Sequence, residues 1–380
     1  MLWLKSRSCD TLMLFVPAMW RDFNEHVEQP ISYELYRRVF DEQNIAFGQP
    51  SQDDCDACIT YKRHSNEKLE NHPDDCELCL QSRQHLERAV KARHEYQNID
   101  SEYTAYAVDM QKVILLPKLS IKEHYFVSRL VVFNETFACL SKGGKNLVVL
   151  WHEALSGRCA SDVASAYIKA IEISNSEKVL FWADNCCSQN KNWCLFTALC
   201  TCVNAEWGPS EVKIKYLERG HTYLKADSIH GCIGKKMKKL SEIVTFSDFV
   251  ELCSKSSKSI KPVMLETADF IAFTQGQRTR KTKKATLPLL SSICEVQFQK
   301  GCRSLFYKTD FESEEVEVDF LMPKFDHTTF PPRKAEPRGI PSTKKDGILK
   351  LLHSVPRAKK KFWLDLPVNE SVKDLTCNVE

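Results

Sequence analysis

The order of strand-like and helix-like segments between residues 103 and 240 constrains the fold of this chain most. Residues 178–183 (KVLFWA) form a short, nearly continuous apolar run, as expected for a strand that is buried on both faces of a sheet. Further strands are predicted over residues 105–116, 126–133, 146–151 and 212–217, and helices over residues 161–173, 193–203 and 228–240. Three strands precede the first helix, and helices then alternate with strands. This order predicts an α/β fold with a mixed sheet flanked by helices.

The length of 380 residues allows two or three domains, and changes in composition suggest where they divide. The predicted parts are an N-terminal helical segment (1–50), a Cys-rich segment with a helix (51–100), the α/β core (101–300) and a C-terminal extension with a proline-rich linker and a basic tail (301–380). No apolar run reaches the ~18 residues that a membrane helix needs, so we expect no membrane partner.

Two C-x2-C pairs in the second segment point to a metal site. The motif DDCDAC at 53–58 is repeated as DDCELC at 74–79, which is the spacing of four-cysteine zinc sites. The ligands of one structural Zn²⁺ would be Cys55, Cys58, Cys76 and Cys79. Nearby histidines are candidate substitutes or outer partners: His64, His72 and His85. The alternative is two unrelated pairs in a chain with 17 cysteines.

Three aspartates fall where the predicted sheet would bring them together. Asp109 lies in the first strand, Asp184 ends the fourth, and Asp227 opens the helix after the fifth. Carboxylates this close repel one another unless cations neutralise them, and paired Mg²⁺ or Mn²⁺ ions serve attack on a phosphodiester in this way. Each aspartate alone can also be read as a cap or turn residue. Asp109 fits that alternative least, because a carboxylate inside an apolar strand carries a desolvation cost.

Two histidines lie on either side of the third aspartate in the sequence. His221 and His230 are candidates for a proton shuttle or an extra metal ligand in catalysis. The alternative for both is a surface histidine beside a turn.

Several longer sequence blocks occur in a fixed order over about residues 20–370. They are NIAFGQPSQDDCDAC (44–58), HLERAVKARHEY (85–96), VDMQKVILLPKL (108–119), WHEALSGR (151–158), WADNCCSQNKN (182–192), GHTYLKADSIHGCI (220–233), RGIPSTKKDGIL (338–349) and FWLDLP (362–367). In combination, these blocks resemble the transposon-derived, RNase H-like proteins of animal genomes, many of which are uncharacterised.

The resemblance implies an RNase H-like core, an ancestral role in DNA strand transfer, and Asp109 and Asp184 as the first two metal ligands. Such proteins often carry a Glu directly after the position of Ile233, where this chain has Gly234 followed by several lysines. If Asp227 is the third ligand, metal-dependent DNA cleavage or transfer is expected. If the Glu was that ligand, the protein is an inactive module, retained for binding DNA or protein, that keeps the fold and the zinc.

Positive charge is clustered, although the formal net charge of the whole chain is only +3. Residues 255–284, which include RTRKTKK, hold eight Lys/Arg against two acids, and residues 331–380 hold eleven against six. Clustered cations replace the condensed counterions of a duplex, so DNA is the expected partner. The same runs resemble nuclear import signals, so the expected location is the nucleus. Solvated surface charge is the alternative, and a homo-oligomer stays an open option.

Overall fold

A computed structural model describes residues 19–21, 23–27, 29–43, 55–66, 76–278, 287–353 and 355–376. The chain forms two compact units, residues 1–54 and 55–380. In the first unit, Tyr33–Glu42 forms helix α1, within the predicted N-terminal helical segment. Trp20 Nε1 donates to the carbonyl of Ile31 at 2.8 Å, and the Asn24 amide bonds both backbone groups of Ile31 at 3.0 Å. These contacts fix the backbone just before the helix begins.

The second unit is built on one mixed sheet with ten strands in the described part of the chain. The strands are β1 (Thr104–Met110), β2 (Ile114–Leu116), β3 (Leu130–Cys139), β4 (Asn146–His152), β5 (Lys178–Ala183), β6 (Glu211–Tyr216), β7 (Ile260–Met264), β8 (Glu295–Gln299), β9 (Leu305–Lys308) and β10 (Val316–Val318). Their order is β10-β9-β8-β6-β5-β1-β3-β4-β7, and β2 pairs with β3. The meander β1, β3, β4 is antiparallel, whereas β5 and β6 run parallel to β1.

Helices cover both faces of this sheet, so the predicted α/β fold with a mixed sheet flanked by helices is confirmed. The helices of this unit are α2 (Asp56–Asn66), α3 (Glu77–Gln97), α4 (Ala160–Ser174), α5 (Trp193–Asn204), α6 (Lys225–Lys239), α7 (Phe246–Ser256), α8 (Ser342–Leu351) and α9 (Arg357–Leu364). The first face packs on α4 and α5, and the second on α6 to α9. Strand β5 shows why its run is continuously apolar, because Phe181 enters the first core and Trp182 the second.

Two predicted strands differ from the structure. The first predicted strand divides into β1 and β2, which both pair with β3. The second was expected over 126–133, but β3 begins at Leu130 and continues through Asn134 and Glu135 to Cys139. These two polar residues look like a strand end in the sequence, yet both side chains are fully buried.

Helix α3 buries a different face from the one that its apolar spacing indicates. Leu86 and Val90 are exposed, whereas His85 and Ala92 are buried. Polar contacts hold the helix instead, such as the ion pair of Glu95 with Lys215 at 2.6 Å.

The C-terminal extension packs on the core around a buried ion pair. Glu153, directly after β4, is fully buried and bonds Lys344, of which only 1% is exposed. Lys344 also contacts Asp374 at 2.7 Å. Ile340, in the predicted C-terminal extension, is fully buried. The described residues from 338 to 376 therefore include segments that pack on the core.

Candidate functional site

Two of the predicted acids lie side by side at the centre of the sheet. Asp109 is the penultimate residue of β1, and Asp184 directly follows β5. Val108 and Ala183, the residues before them, are paired across the parallel strands. The pairing of β1 with β5 therefore brings the two aspartates to the C-terminal ends of two neighbouring parallel strands, as the sequence predicts.

Helix α6 brings the third predicted acid to Asp109. One oxygen each of Asp109 and Asp227 and one ring nitrogen of His230 all lie within 4.8 Å of one another. The distance from His230 Nδ1 to Asp109 Oδ2 is 3.7 Å. Asp227 and His230 are three residues apart, so both lie on the helix face that meets β1. Asp227 also accepts a hydrogen bond from the Leu224 N–H at 2.9 Å, which caps the first turn of α6.

The electrostatics of this group reflect an excess of negative charge. Burial, and then the charges of Asp184 and Asp227, raise the pKa of Asp109 to about 7. Burial lowers the pKa of His230 to about 4, which keeps the imidazole neutral. Within the described residues, no Lys or Arg forms an ion pair with any of the three aspartates. A divalent cation would supply the missing positive charge.

Asp184 is held by a buried hydrogen-bond network. Its Oδ1 accepts from the Asn190 amide at 2.7 Å and from the Cys186 N–H at 3.1 Å. Asn190 is held in turn by the hydroxyls of Tyr167 and Tyr216, at 2.9 and 2.8 Å. The second oxygen of Asp184 makes no hydrogen bond to the part of the chain that the structure describes. The carboxylate is thus oriented through one oxygen and keeps the other for a ligand.

Glu135 is a further acid that the sequence analysis missed. It lies on β3, opposite Met110, and neither carboxylate oxygen has a hydrogen-bond partner among the described residues. Burial, and then the charges of Asp109 and Asp184, raise its pKa well above the ordinary value. It faces the side of the sheet that α4 covers, away from Asp227. The signal was present in VVFNETFAC, because an acid inside an apolar strand is the same feature that identified Asp109.

The structure places the four predicted zinc cysteines in two separate groups of candidate ligands, and one four-cysteine Zn²⁺ site stays a prediction. Cys55 and Cys58 lie with His85 and His221, and Cys76 and Cys79 lie with His64. His221 is therefore in a cysteine group and does not join the acid cluster. The two cysteine pairs are separate because Cys55 lies directly before α2 and Cys76 directly before α3, and each pair lies beside different histidines. His72 lies outside the described residues.

The positive charge expected to meet DNA is partly used within the fold. Residues 279–284 of the basic run lie outside the described residues, and Arg278 pairs with Asp319. In the tail, Lys344 is buried and Lys359 pairs with Asp248 at 2.9 Å. The last two turns of α6 differ, since they carry four lysines that form no ion pair within the described residues: Lys235, Lys236, Lys238 and Lys239.

One family model matches part of this chain. A family model described as a domain of unknown function, DUF7869, matches residues 166–300. The matched span contains Asp184, His221, Asp227 and His230, but not Asp109 or the cysteine pairs. No curated protein and no solved structure matches the chain. In the described part of the chain, no helix has the length and apolar character needed to cross a bilayer.

Proposed function

We propose that this protein is a transposase-derived, RNase H-like nuclear protein that cleaves or transfers DNA strands with divalent cations. The observation that carries the proposal is the approach of Asp227 and His230 to Asp109, with Asp184 following the neighbouring strand, and no Lys or Arg paired to the three aspartates among the described residues. The strand order β4-β3-β1-β5-β6, with only β3 antiparallel to β1, is that of an RNase H-like core and supports the same reading. The sequence resemblance points in the same direction.

The donor set suits a hard divalent cation. Oxygen ligands are what Mg²⁺ prefers, and the neutral nitrogen of His230 favours Mn²⁺ as a further occupant. When bound, such ions supply Lewis acidity to the phosphodiester and lower the pKa of a coordinated water. Three carboxylates with no Lys or Arg paired to them in the described part of the chain fit this role better than a structural one, because a structural cluster is usually neutralised by Lys or Arg.

The protein's own residues would position the partners of the reaction. Asn190 orients Asp184 and leaves its second oxygen for a cation. Asp227 is fixed at the start of α6 by its bond to the Leu224 N–H. The lysines near the end of the same helix offer unpaired positive charge to phosphates, which is the sequence-independent part of DNA binding.

A second function is favoured by one observation, the glycine at position 234. Gly234 lies seven residues after Asp227 and four after His230, hence on the same face of α6. If the third ligand belonged at this position, the chain would be an inactive module that binds DNA or protein. The lysines that follow would then contribute binding alone.

A cleavage assay on supercoiled duplex DNA with Mg²⁺ or Mn²⁺ tests the proposal. We expect nicking by the wild type, and loss of nicking to the metal-free level in Asp109→Asn and Asp184→Asn. Asp346→Asn, an exposed aspartate of α8, is the matched control and is expected to leave cleavage unchanged. DNA binding measured in parallel separates the two functions: binding without cleavage by the wild type supports the inactive module and refutes the nuclease.

A further inference from the structure

The group formed by Cys55, Cys58, His85 and His221 has the spacing of a metal site. Cys55 Sγ lies 3.2 Å from His85 Nε2, Cys58 Sγ lies 3.5 Å from His221 Nε2, and the two Nε2 atoms are 3.1 Å apart. Bonds of about 2.0–2.3 Å to a tetrahedral Zn²⁺ place neighbouring ligand atoms about 3.3–3.8 Å apart. The side chains are therefore already close to the separations that one ion requires.

Glu218 fixes the ring of His85 in the form that binds metal. Its Oε1 lies 3.0 Å from His85 Nδ1, and Arg88 holds the same carboxylate at 3.0 and 3.3 Å. With Nδ1–H donating to Glu218, the lone pair of Nε2 points at the two thiols and at His221. A carboxylate on the far nitrogen of a metal-bound histidine is the usual outer partner of zinc sites.

Gly220 permits the chain to reach the cysteines. Its φ is +80°, and a Cβ built at this position would lie 2.6 Å from Cys55 Sγ. Any other residue would be strained and would displace the sulfur. The turn before His221 therefore requires glycine because its backbone lies against Cys55. This requirement is independent of the distances between the ligand atoms.

We propose that Cys55, Cys58, His85 and His221 bind one structural Zn²⁺ that joins helices α2 and α3 to the chain between β6 and α6. Two thiolates and two imidazoles select zinc over Mg²⁺ or Ca²⁺. All four ligands come from the protein, so no position stays open for water and the ion is structural. The second group, His64 with Cys76 and Cys79, has three ligands among the described residues and is not part of the proposal.

Contacts around the group show what the ion would stabilise. Arg93 donates to the carbonyl of Tyr223 at 2.9 Å and to that of His221 at 3.4 Å, and the Tyr96 hydroxyl accepts from the Lys225 N–H at 3.0 Å. Helix α3 therefore contacts the segment from His221 to Lys225, where α6 begins. The ion would hold the start of the helix that carries Asp227, and this role stands whether or not the acid cluster cleaves DNA.

Metal content of purified full-length variants tests the proposal. His221→Ala is expected to lose one zinc equivalent per chain relative to the wild type, and the double variant Cys76→Ser/Cys79→Ser is expected to keep that equivalent. His94→Ala, an exposed histidine on α3, is the control and should keep the wild-type content. An unchanged zinc content in His221→Ala would overturn the proposal.

Thiol alkylation of the wild type decides the question if His221→Ala does not fold. Cys55 and Cys58 should react with iodoacetamide only after a zinc chelator is added, as read by mass spectrometry of peptides. Cys232, exposed on α6, should react at the same rate with and without chelator. Alkylation of Cys55 and Cys58 at the rate of Cys232 before chelation would overturn the site.

Discussion

His230 Nδ1 lies 3.7 Å from Asp109 Oδ2, so the neutral imidazole of helix α6 meets a carboxylate of strand β1. The contact joins two segments that are about 120 residues apart in the sequence. It supplies no positive charge, because burial keeps the pKa of His230 low. Among the described residues, no Lys or Arg pairs with Asp109, Asp184 or Asp227 either, so their mutual repulsion is not offset by a protein cation.

Divalent cations are expected to stabilise the wild type through the acid cluster. A ligand that binds only the folded state adds about 2.7 kcal/mol at a concentration of a hundred times its Kd. Thermal unfolding with added Mn²⁺, compared with unfolding in the same buffer without added metal or chelator, should show this gain in the wild type and in Asp346→Asn but not in Asp109→Asn. Equal Mn²⁺ stabilisation of all three proteins would place the ion elsewhere.

Replacing Glu135 with the non-ionisable Gln is expected to stabilise the protein at neutral pH. A carboxyl with a raised folded-state pKa binds more protons when folded, so stability falls as pH rises above its unfolded pKa of about 4.3. Glu135→Gln should remove that loss, with a gain over the wild type of about 1.4 kcal/mol for each pH unit between the two pKa values. Urea unfolding in EDTA at pH 4.5 and 7 measures it.

The expected result for Glu135→Gln is no difference at the lower pH and a more stable variant at the higher one. A variant that is less stable than the wild type at pH 7 would show that Glu135 is ionised and paired in the folded protein. Any cation near Asp109 and Asp184 would lower the pKa of Glu135 and reduce the gain, which is why the measurement uses a chelator.

Lys344→Met is expected to destabilise the protein strongly. The change leaves the fully buried Glu153 without its main partner, and breaking a buried pair in this way costs about 3–5 kcal/mol. Lys350→Met, an exposed lysine of α8, should change the free energy of unfolding by less than about 0.5 kcal/mol. Urea denaturation measures both, and similar small losses in the two variants would contradict the packing of α8 on the core.

Gly234→Glu is expected to strengthen the acid cluster without harming α6. A Cβ at this position meets nothing within 4 Å, and replacing a helical glycine gains up to about 1 kcal/mol of helix propensity. The added carboxylate lies on the face of Asp227 and His230, so Mn²⁺ affinity measured by calorimetry should rise. Cys232→Glu is the control, since Cys232 is exposed and lies about 140° from Asp227 and about 160° from His230 around the helix.

The outcome of the Gly234→Glu assay separates the two functions proposed above. If the wild type cleaves DNA, Asp227 suffices as third ligand and the variant should change the rate only modestly. If the wild type is inert and Gly234→Glu gains nicking that Cys232→Glu lacks, the chain is an inactive form of a nuclease. Equal Mn²⁺ affinity of Gly234→Glu and Cys232→Glu would contradict the placement of position 234 beside the cluster.

The sequence by itself determined the elements whose pattern is local. The apolar run of β5 predicts its bounds at residues 178 and 183, and the spacing of helix α5 is nearly as clear. The convergence of Asp109 and Asp184 also followed, because a strand-end position is fixed once neighbouring parallel strands are assigned. Glu135 was overlooked, although it is also an acid inside an apolar strand.

Tertiary structure alone decided which side chains share a site. Cys55 and Cys76 carry the same motif, and nothing local shows that the first meets His221, 166 residues further on. Polar contacts of α3 with Glu218 and Lys215 likewise decide which face of the helix is exposed, and the hydrophobic periodicity of the helix does not predict these contacts. The physical reason is that periodicity reports burial along one segment, whereas a metal ligand set depends on where distant segments return in space.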